Sequence, residues 1–457
     1  MKTIWAEQAL LQTGWAGAVR VTIGAEGRIE RVEPGTPRTG DHVDHIVGTL
    51  LPAPANAHSH TFQRAMAGLT ERRGPDARDS FWTWRALMFR FLDCLTPAHV
   101  EAIAAFTQME MLEAGYATSV EFHYLHHQPG GVPYSNLAEM SERIAAACAQ
   151  TGIGLTLLPV QYQYGGLDHR PLGPGQIRFG NDPDRFARLY QGASEALRHL
   201  PSDCRMGVAP HSLRAVAPET LAQVAALTDG PVHMHLAEQQ AEVDEVSATL
   251  GKRPVEWVLD NMALHSGVTF IHCTQMLPHE TEGLAQSGVV AGLCPITESS
   301  LGDGIFDGVR WLAAGGQIAI GSDSNIRIAL AEELRTLEYS QRLRAQSRAV
   351  LATPEHSTGR RLFSAAAQGG ALAAGRPTGA IAPGLLADLM ALDATHVDLA
   401  GRAGDTTLDS YIFAGDDRMV QEVWSAGRHV VSNGQHVHRS AIVAAYSRAM
   451  QELGQTV

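Results

Sequence analysis

Three observations predict an α/β fold, a (β/α)8 barrel with a small β-sandwich-like domain built from both chain ends. Eight short β runs alternate with helical stretches through the middle of the chain. Polar and ionisable residues gather at the C-terminal end of nearly every run. The two chain ends are different in kind, rich in short strands and turns.

At the start, AVRVTIGAEGRIERVEPG reads as two short strands joined by a glycine-containing turn. GAIAPGLLADLMALD and VQEVWSAGRHVVSNGQHV have the same character near the other end, so residues 1–50 and 376–437 are expected to share one small domain. Residues 438–457 are expected to form a C-terminal helix and 51–375 the barrel. In TPAHVEAIAAFTQMEMLEAGY, Thr96 suits an N-cap, Pro97 the first turn and Gly115 the end of a helix. The strand before His58 comes first, followed by ATSVEFHYLHH, GIGLTLLPVQYQ, CRMGVAPHSLR, GPVHMHLAEQ, GVTFIHCTQ, GVVAGLCPITESS and GQIAIGSDSN. An open doubly wound sheet is the other arrangement of such units, but no strand leads into a glycine-rich phosphate loop.

Composition narrows the chemistry. Apolar residues make up 45% of the 457 and charged ones 18%, which suits a large core and not a disordered chain. A formal net charge of −13 argues against nucleic acid as the partner, since phosphates need clustered cations. Lys2 and Lys252 are the only lysines. A Schiff-base lysine, or a carbamylated lysine bridging two metals, therefore has almost no candidates, and anion binding falls to arginine. Cys94, Cys148, Cys204, Cys273 and Cys294 are scattered without CxxC spacing, which fits a reducing compartment. The N-terminus has no apolar stretch long enough for a signal or a membrane span, and a soluble cytoplasmic protein is expected.

His58 and His60 are two residues apart on a strand and therefore point to one face. In a chain with 21 histidines such a pair alone says little. Company at other strand ends gives it meaning: VHMHLAEQ supplies His235 and IGSDSN supplies Asp323. Three imidazoles and a carboxylate suit Zn2+ with an open position for water. Glu238, three residues past His235, and His272, ending the next strand, are the natural proton-shuttle pair. Taken singly, Glu238 also reads as a solvated carboxylate on a first helical turn, and His272 as a hydrogen-bonded core histidine. His233 reads as a structural histidine.

The order HxH, HxxE, His and then SD at the last strand resembles the amidohydrolase superfamily in its mononuclear deaminase branch. The strings HSHTFQRAMAGLTE, DSFWTWR, EFHYLHH, HSLRAV, HLAEQQ and GLCPITESSLGDGIF resemble, more narrowly and over essentially the whole chain, the N-formimino-L-glutamate deiminases of histidine degradation. That resemblance implies hydrolysis of formimino-glutamate to formylglutamate and ammonia. It implies His58, His60, His235 and Asp323 as ligands of one Zn2+ per chain, although Fe2+ accepts the same groups. It implies Glu238, His272 and Asp323 as catalytic, with the first proton acceptor open between His272 and Asp323. Gln63, Arg85, Tyr124, His211 and Arg214 would line the substrate pocket, and the chain would form a homodimer. Two arginines at separate strand ends could each clamp one carboxylate of a dicarboxylate substrate. Arg85 otherwise reads as a surface arginine beside an aromatic cluster.

Two other readings compete. A deaminase of an aminated heterocycle such as guanine or cytosine would keep the metal set but need stacking aromatics and amide groups. A non-catalytic metal-binding relative would not be expected to keep both Glu238 and His272. Glu298 and Asp303 carry no assigned role, Asn325 after GSDS is expected to bear on a pocket wall, and PLGPGQIRFGNDPDR is expected to form a loop near the rim.

Overall fold

The apolar run HIVGTLLPAPA serves two different sheets, divided where prolines interrupt the hydrogen-bonding ladder. In the computed structural model, which describes residues 1–38, 43–71 and 81–455, His45–Pro52 belongs to a sheet of the chain ends and Ala55–Ser59 opens the barrel. Asp79 and Ser80 of DSFWTWR lie outside the described residues.

Barrel strand β1 is Ala55–Ser59, β2 Thr118–His123 and β3 Gly154–Gln161; β5 is Val232–Leu236, β6 Val268–His272, β7 Val290–Leu293 and β8 Gln317–Ile320. The run CRMGVAP between β3 and β5 forms β4 in two pieces, Arg205–Met206 and Ala209–Pro210. Gly207 separates them because the chain presses on its neighbour there: a Cβ on Gly207 would lie 2.3 Å from the Pro231 carbonyl oxygen. The strands pair in parallel as a five-stranded and a four-stranded sheet. Single parallel bridges at Ser59–Asp323 and Val208–Val232 join the two and close the barrel.

Burial follows from this closure. Thr118–His123, Val232–Leu236 and Val268–His272 are buried at every position because helices cover one face and the barrel interior fills the other. Phe122, Met234 and Phe270 are fully buried, each contributing roughly 1.5–3 kcal/mol by removal from water. Helix Pro97–Glu113 begins as its sequence suggests, with Thr96 Oγ1 accepting from the His99 amide at 3.3 Å.

The chain ends meet in one eight-stranded sheet. Lys2–Leu11, Gly14–Ile23, Ile29–Glu33 and His45–Pro52 supply one half, and Leu389–Leu392, Val420–Ser425, Arg428–Ser432 and Gln435–His436 the other. The halves join where His45–Pro52 runs antiparallel to Leu389–Leu392. A buried ionic cluster ties this sheet to the barrel floor. Asp203 accepts from Arg376 at 2.9 Å and from both terminal nitrogens of Arg428 at 2.7 and 2.8 Å, and Arg376 also bonds Asp388 at 3.0 Å. Helix Arg439–Gly454 ends the described chain.

Candidate active site

The C-terminal ends of the barrel strands form one rim, and backbone distortions there turn side chains inward. Ala237, His272, Cys273, Asp323 and Asn325 all have positive φ, although none is glycine. Such conformations cost of order 1–3 kcal/mol each and persist only where the surroundings enforce them. The enforcement is visible at β8. The amides of Ser322 and Asp323 both bond the His58 carbonyl, at 3.1 and 2.9 Å, and the His60 amide bonds the Asp323 carbonyl at 3.0 Å. Gly321 makes this approach feasible, since a Cβ there would lie 2.6 Å from the His58 nitrogen.

Asn325 completes the stitch. Its Nδ2 donates to Ser59 Oγ, the His60 carbonyl and the Asp323 carbonyl at 3.1, 3.1 and 3.0 Å. Asn325 is fully buried and faces the strand ends, so it bears on the backbone of the site and is not among the residues lining the pocket. Glu121 does similar work from β2, accepting from both the amide and the hydroxyl of Thr61 at 2.9 Å.

These constraints bring His58, His60 and His235 together, with their ligand nitrogens within 4.8 Å of one another. His58 Nε2 is 3.1 Å from His235 Nε2 and 3.5 Å from Asp323 Oδ1, which is 3.3 Å from His60 Nε2. Backbone carbonyls set two of the tautomers: His60 Nδ1 donates to Phe122 at 2.9 Å and His235 Nδ1 to His211 at 3.1 Å. Both therefore present a bare Nε2 to the same point. Burial lowers the pKa of His60 to about 3 and pushes His58 and His235 well down, so the imidazoles are neutral. Neutral nitrogens converging beside a carboxylate fit a divalent cation. His233 faces the other way, its Nε2 bonding the Ala373 carbonyl at 2.8 Å.

His272 stands at the edge of this cradle. Its Nε2 is 3.9 Å from both Glu238 Oε1 and Asp323 Oδ2, a gap that one small atom can bridge. Burial would lower its pKa, but Glu238, Glu298 and Asp323 together hold it up at about 10. Burial raises the Asp323 carboxyl to about 7, with Glu238 and Glu298 adding to the rise and His272 opposing it. Glu298 accepts from His272 Nδ1 at 3.4 Å and from the Cys294 amide at 2.8 Å, which gives it a place behind the histidine. Asp303 accepts from Gln239, the residue after Glu238, and burial with the Glu238 charge raises its pKa to about 9.

One cavity faces these groups. Gln63, Arg85, Tyr124, His211, Arg214, Glu238, His272 and Asp323 line it, together with Trp84, Met88, Tyr162, Phe179 and Leu301. Gln63 Nε2 donates to Tyr124 Oη at 2.6 Å, leaving Gln63 Oε1 buried without a partner. Arg85 donates to Tyr162 Oη at 2.9 Å and lies 5.1 Å over the Phe89 ring, so the aromatic contact and the pocket position coexist. Arg214 is not a free clamp: its Nη2 is 3.6 Å from Glu238 and 4.0 Å from Glu242, while its Nε is buried and unpartnered. His211 is kept neutral by burial and by the charges of Arg214 and Arg85. His123 packs against His126 and does not line the cavity. Of the residues that sequence reasoning passed over, Tyr162 could have been found, because it directly follows β3 as His60, Tyr124 and His211 follow their strands. Arg85, expected at a strand end, reaches the cavity instead from the helix Phe81–Leu92.

The model of the amidohydrolase family matches residues 49–430, and that of the formimidoylglutamate deiminase HutF N-terminal domain matches residues 1–45. A formimidoylglutamate deiminase of Pseudomonas aeruginosa is 44% identical over 99% of this chain and 100% of its own length. The crystal structure of an amidohydrolase from Brucella melitensis superposes with a TM-score of 0.95 at 47% identity, over 99% of this chain and 100% of that one. An adenosine deaminase from Xanthomonas campestris with bound zinc shares the fold, with a TM-score of 0.82 at 21% identity over 99% and 98% of the two chains. The chain belongs to the amidohydrolase family and, within it, to the formimidoylglutamate deiminases.

Proposed function

We propose that this chain hydrolyses N-formimino-L-glutamate to N-formyl-L-glutamate and ammonia, a step of histidine degradation. The observation that carries the reading is one cavity in which two arginines face a cradle of neutral histidines and a carboxylate, with Glu238 and His272 between them. The full-length similarity to the Pseudomonas deiminase supports the same reading.

His58, His60, His235 and Asp323 would hold one Zn2+, with Fe2+ the competing ion. When bound, such a cation supplies a water acidic enough to ionise near pH 7 and polarises the formimino group. With His272 held protonated by its carboxylate neighbours, Asp323, 3.9 Å away, would be the group to accept a proton from such a water, and the His272 charge would steady the carboxylate in that role. Glu238, 3.9 Å from His272 on the cavity side, would receive that proton in turn and deliver it to the departing nitrogen, which leaves as ammonia. Arg85 and Arg214 orient the two substrate carboxylates. Arg214 shifts part of its charge from Glu238 and Glu242 to the substrate as it does so. Gln63, through its unpartnered oxygen, and Tyr124 and His211 hold the formimino end.

The test is ammonia release from N-formimino-L-glutamate by the metal-loaded protein, with guanine and cytosine as comparison substrates. Turnover of either base without release from the formimino acid overturns the proposal. Elemental analysis checks the single Zn2+, and light scattering checks the homodimer that goes with the family resemblance. Five cysteines without a disulfide support work in the cytoplasm.

A further inference from the structure

Tyr162 follows β3 and is buried in the cavity wall, framed by the His211 ring at 4.5 Å and the Phe179 ring at 5.7 Å. Its hydroxyl oxygen accepts from Arg85 Nη2 and from Gln176 Nε2, both at 2.9 Å. Neither partner can take a proton back. Arginine has no acceptor. The Gln176 amide is oriented by its own oxygen, which accepts from the Gly173 amide at 3.1 Å, so its NH2 group faces the phenol.

A phenol oxygen has two lone pairs and one proton. Two donors take the lone pairs, and the proton has no acceptor among the described residues. It lies in a cavity where Arg85 adds further donors and the acids, Glu238 and Asp323, stand with the metal cradle. An anionic, acceptor-only group fits this arrangement, and a carboxylate is such a group. We infer that the Tyr162 hydroxyl is a third donor to the substrate carboxylate held by Arg85, with Gln176 of the 165–180 loop aiming it. The inference rests on the deiminase reading for the identity of the substrate, and it makes Tyr162 a determinant of acid over amide at that end of the molecule.

Tyr162→Phe in the metal-loaded full chain tests it, by ammonia release from N-formimino-L-glutamate and from its two mono-amides. Loss of a hydrogen bond to a charged group should raise KM for the diacid about tenfold or more while kcat stays within about threefold. On the amide that lacks the carboxylate at Arg85, variant and parent should have equal kcat/KM. An unchanged KM for the diacid, or an equal loss on all three substrates, overturns the inference. If the parent releases no ammonia, the deiminase reading fails separately, and calorimetric titration with glutarate takes over: about tenfold weaker binding by the variant supports the donor and equal binding refutes it. Gln176→Leu, on a half-buried loop, covers a failure of Tyr162→Phe to fold. It should raise KM for the diacid by about two- to fivefold and leave the amide unaffected, and no change refutes the aiming contact.

Discussion

His272 Nδ1 lies 3.4 Å from Glu298 Oε1, and the same oxygen accepts from the Cys294 amide at 2.8 Å. Two strand ends, β6 and β7, are thereby coupled through one carboxylate oxygen. The bond points the Nδ1–H of His272 at Glu298 and turns Nε2 toward Glu238 and Asp323.

Glu298→Gln keeps the shape and can still accept from Cys294, but it removes the charge behind His272. We expect kcat to fall about tenfold or more with metal content and melting temperature near those of the parent, because a charge-assisted bond is replaced by a neutral one. Unchanged kcat would assign Glu298 to the turn alone.

Glu238→Gln should be more severe. It leaves Arg214 its second partner, Glu242, so the fold should hold. Removing the group that returns a proton to the leaving nitrogen should lower kcat by about 10²–10⁴ while bound metal persists. Retained turnover would show that another group does this work.

The sequence made much of this site legible because the signals were periodic or positional. His58 and His60 share a face by the two-residue repeat of a strand, and His235, His272 and Asp323 announced themselves by ending β runs. The number of strands and the joining of the two chain ends followed from the same patterning. What stayed hidden acts through backbone proximity between distant segments. Asn325 looked like a pocket residue and instead ties β8 to β1, and Glu121 anchors Thr61 from a strand away. The sharing of Arg214 with Glu238 and Glu242 depends on where a loop folds over a helix start, which no spacing encodes.

Gly321→Ala tests that kind of proximity. The added Cβ would lie 2.6 Å from the His58 nitrogen and 2.8 Å from its carbonyl oxygen, and backbone on a closed barrel has little room to yield. His58 must shift relative to His235 and Asp323. Metal affinity should drop about 10–100-fold, as for other losses of ligand support. Competition with a chelator reads this directly, and parent-like affinity would mean that the strand ends part without disturbing the cradle.

Asp203 makes the junction between the barrel and the sheet of the chain ends sensitive to acid. It is buried against Arg376 and bonded through both oxygens by Arg428. Burial alone would raise its pKa, but the Arg428 bonds and the two arginine charges hold it below the usual carboxylate value. A depressed pKa in the folded state means that the unfolded chain takes up the proton first. The stabilisation is therefore present above about pH 4, the unfolded value, and is lost as pH falls through the lower folded value. Asp203→Asn should cost about 3 kcal/mol at neutral pH, because Arg376 keeps Asp388 while Arg428 loses its carboxylate. The gap between variant and parent should narrow below about pH 4, where the unfolded parent takes up a proton at Asp203 that the folded parent still refuses. Urea unfolding at pH 7 and pH 3 measures both, and a gap that stays constant across that range would show that the charge of Asp203 is not what joins the barrel to the sheet of the chain ends.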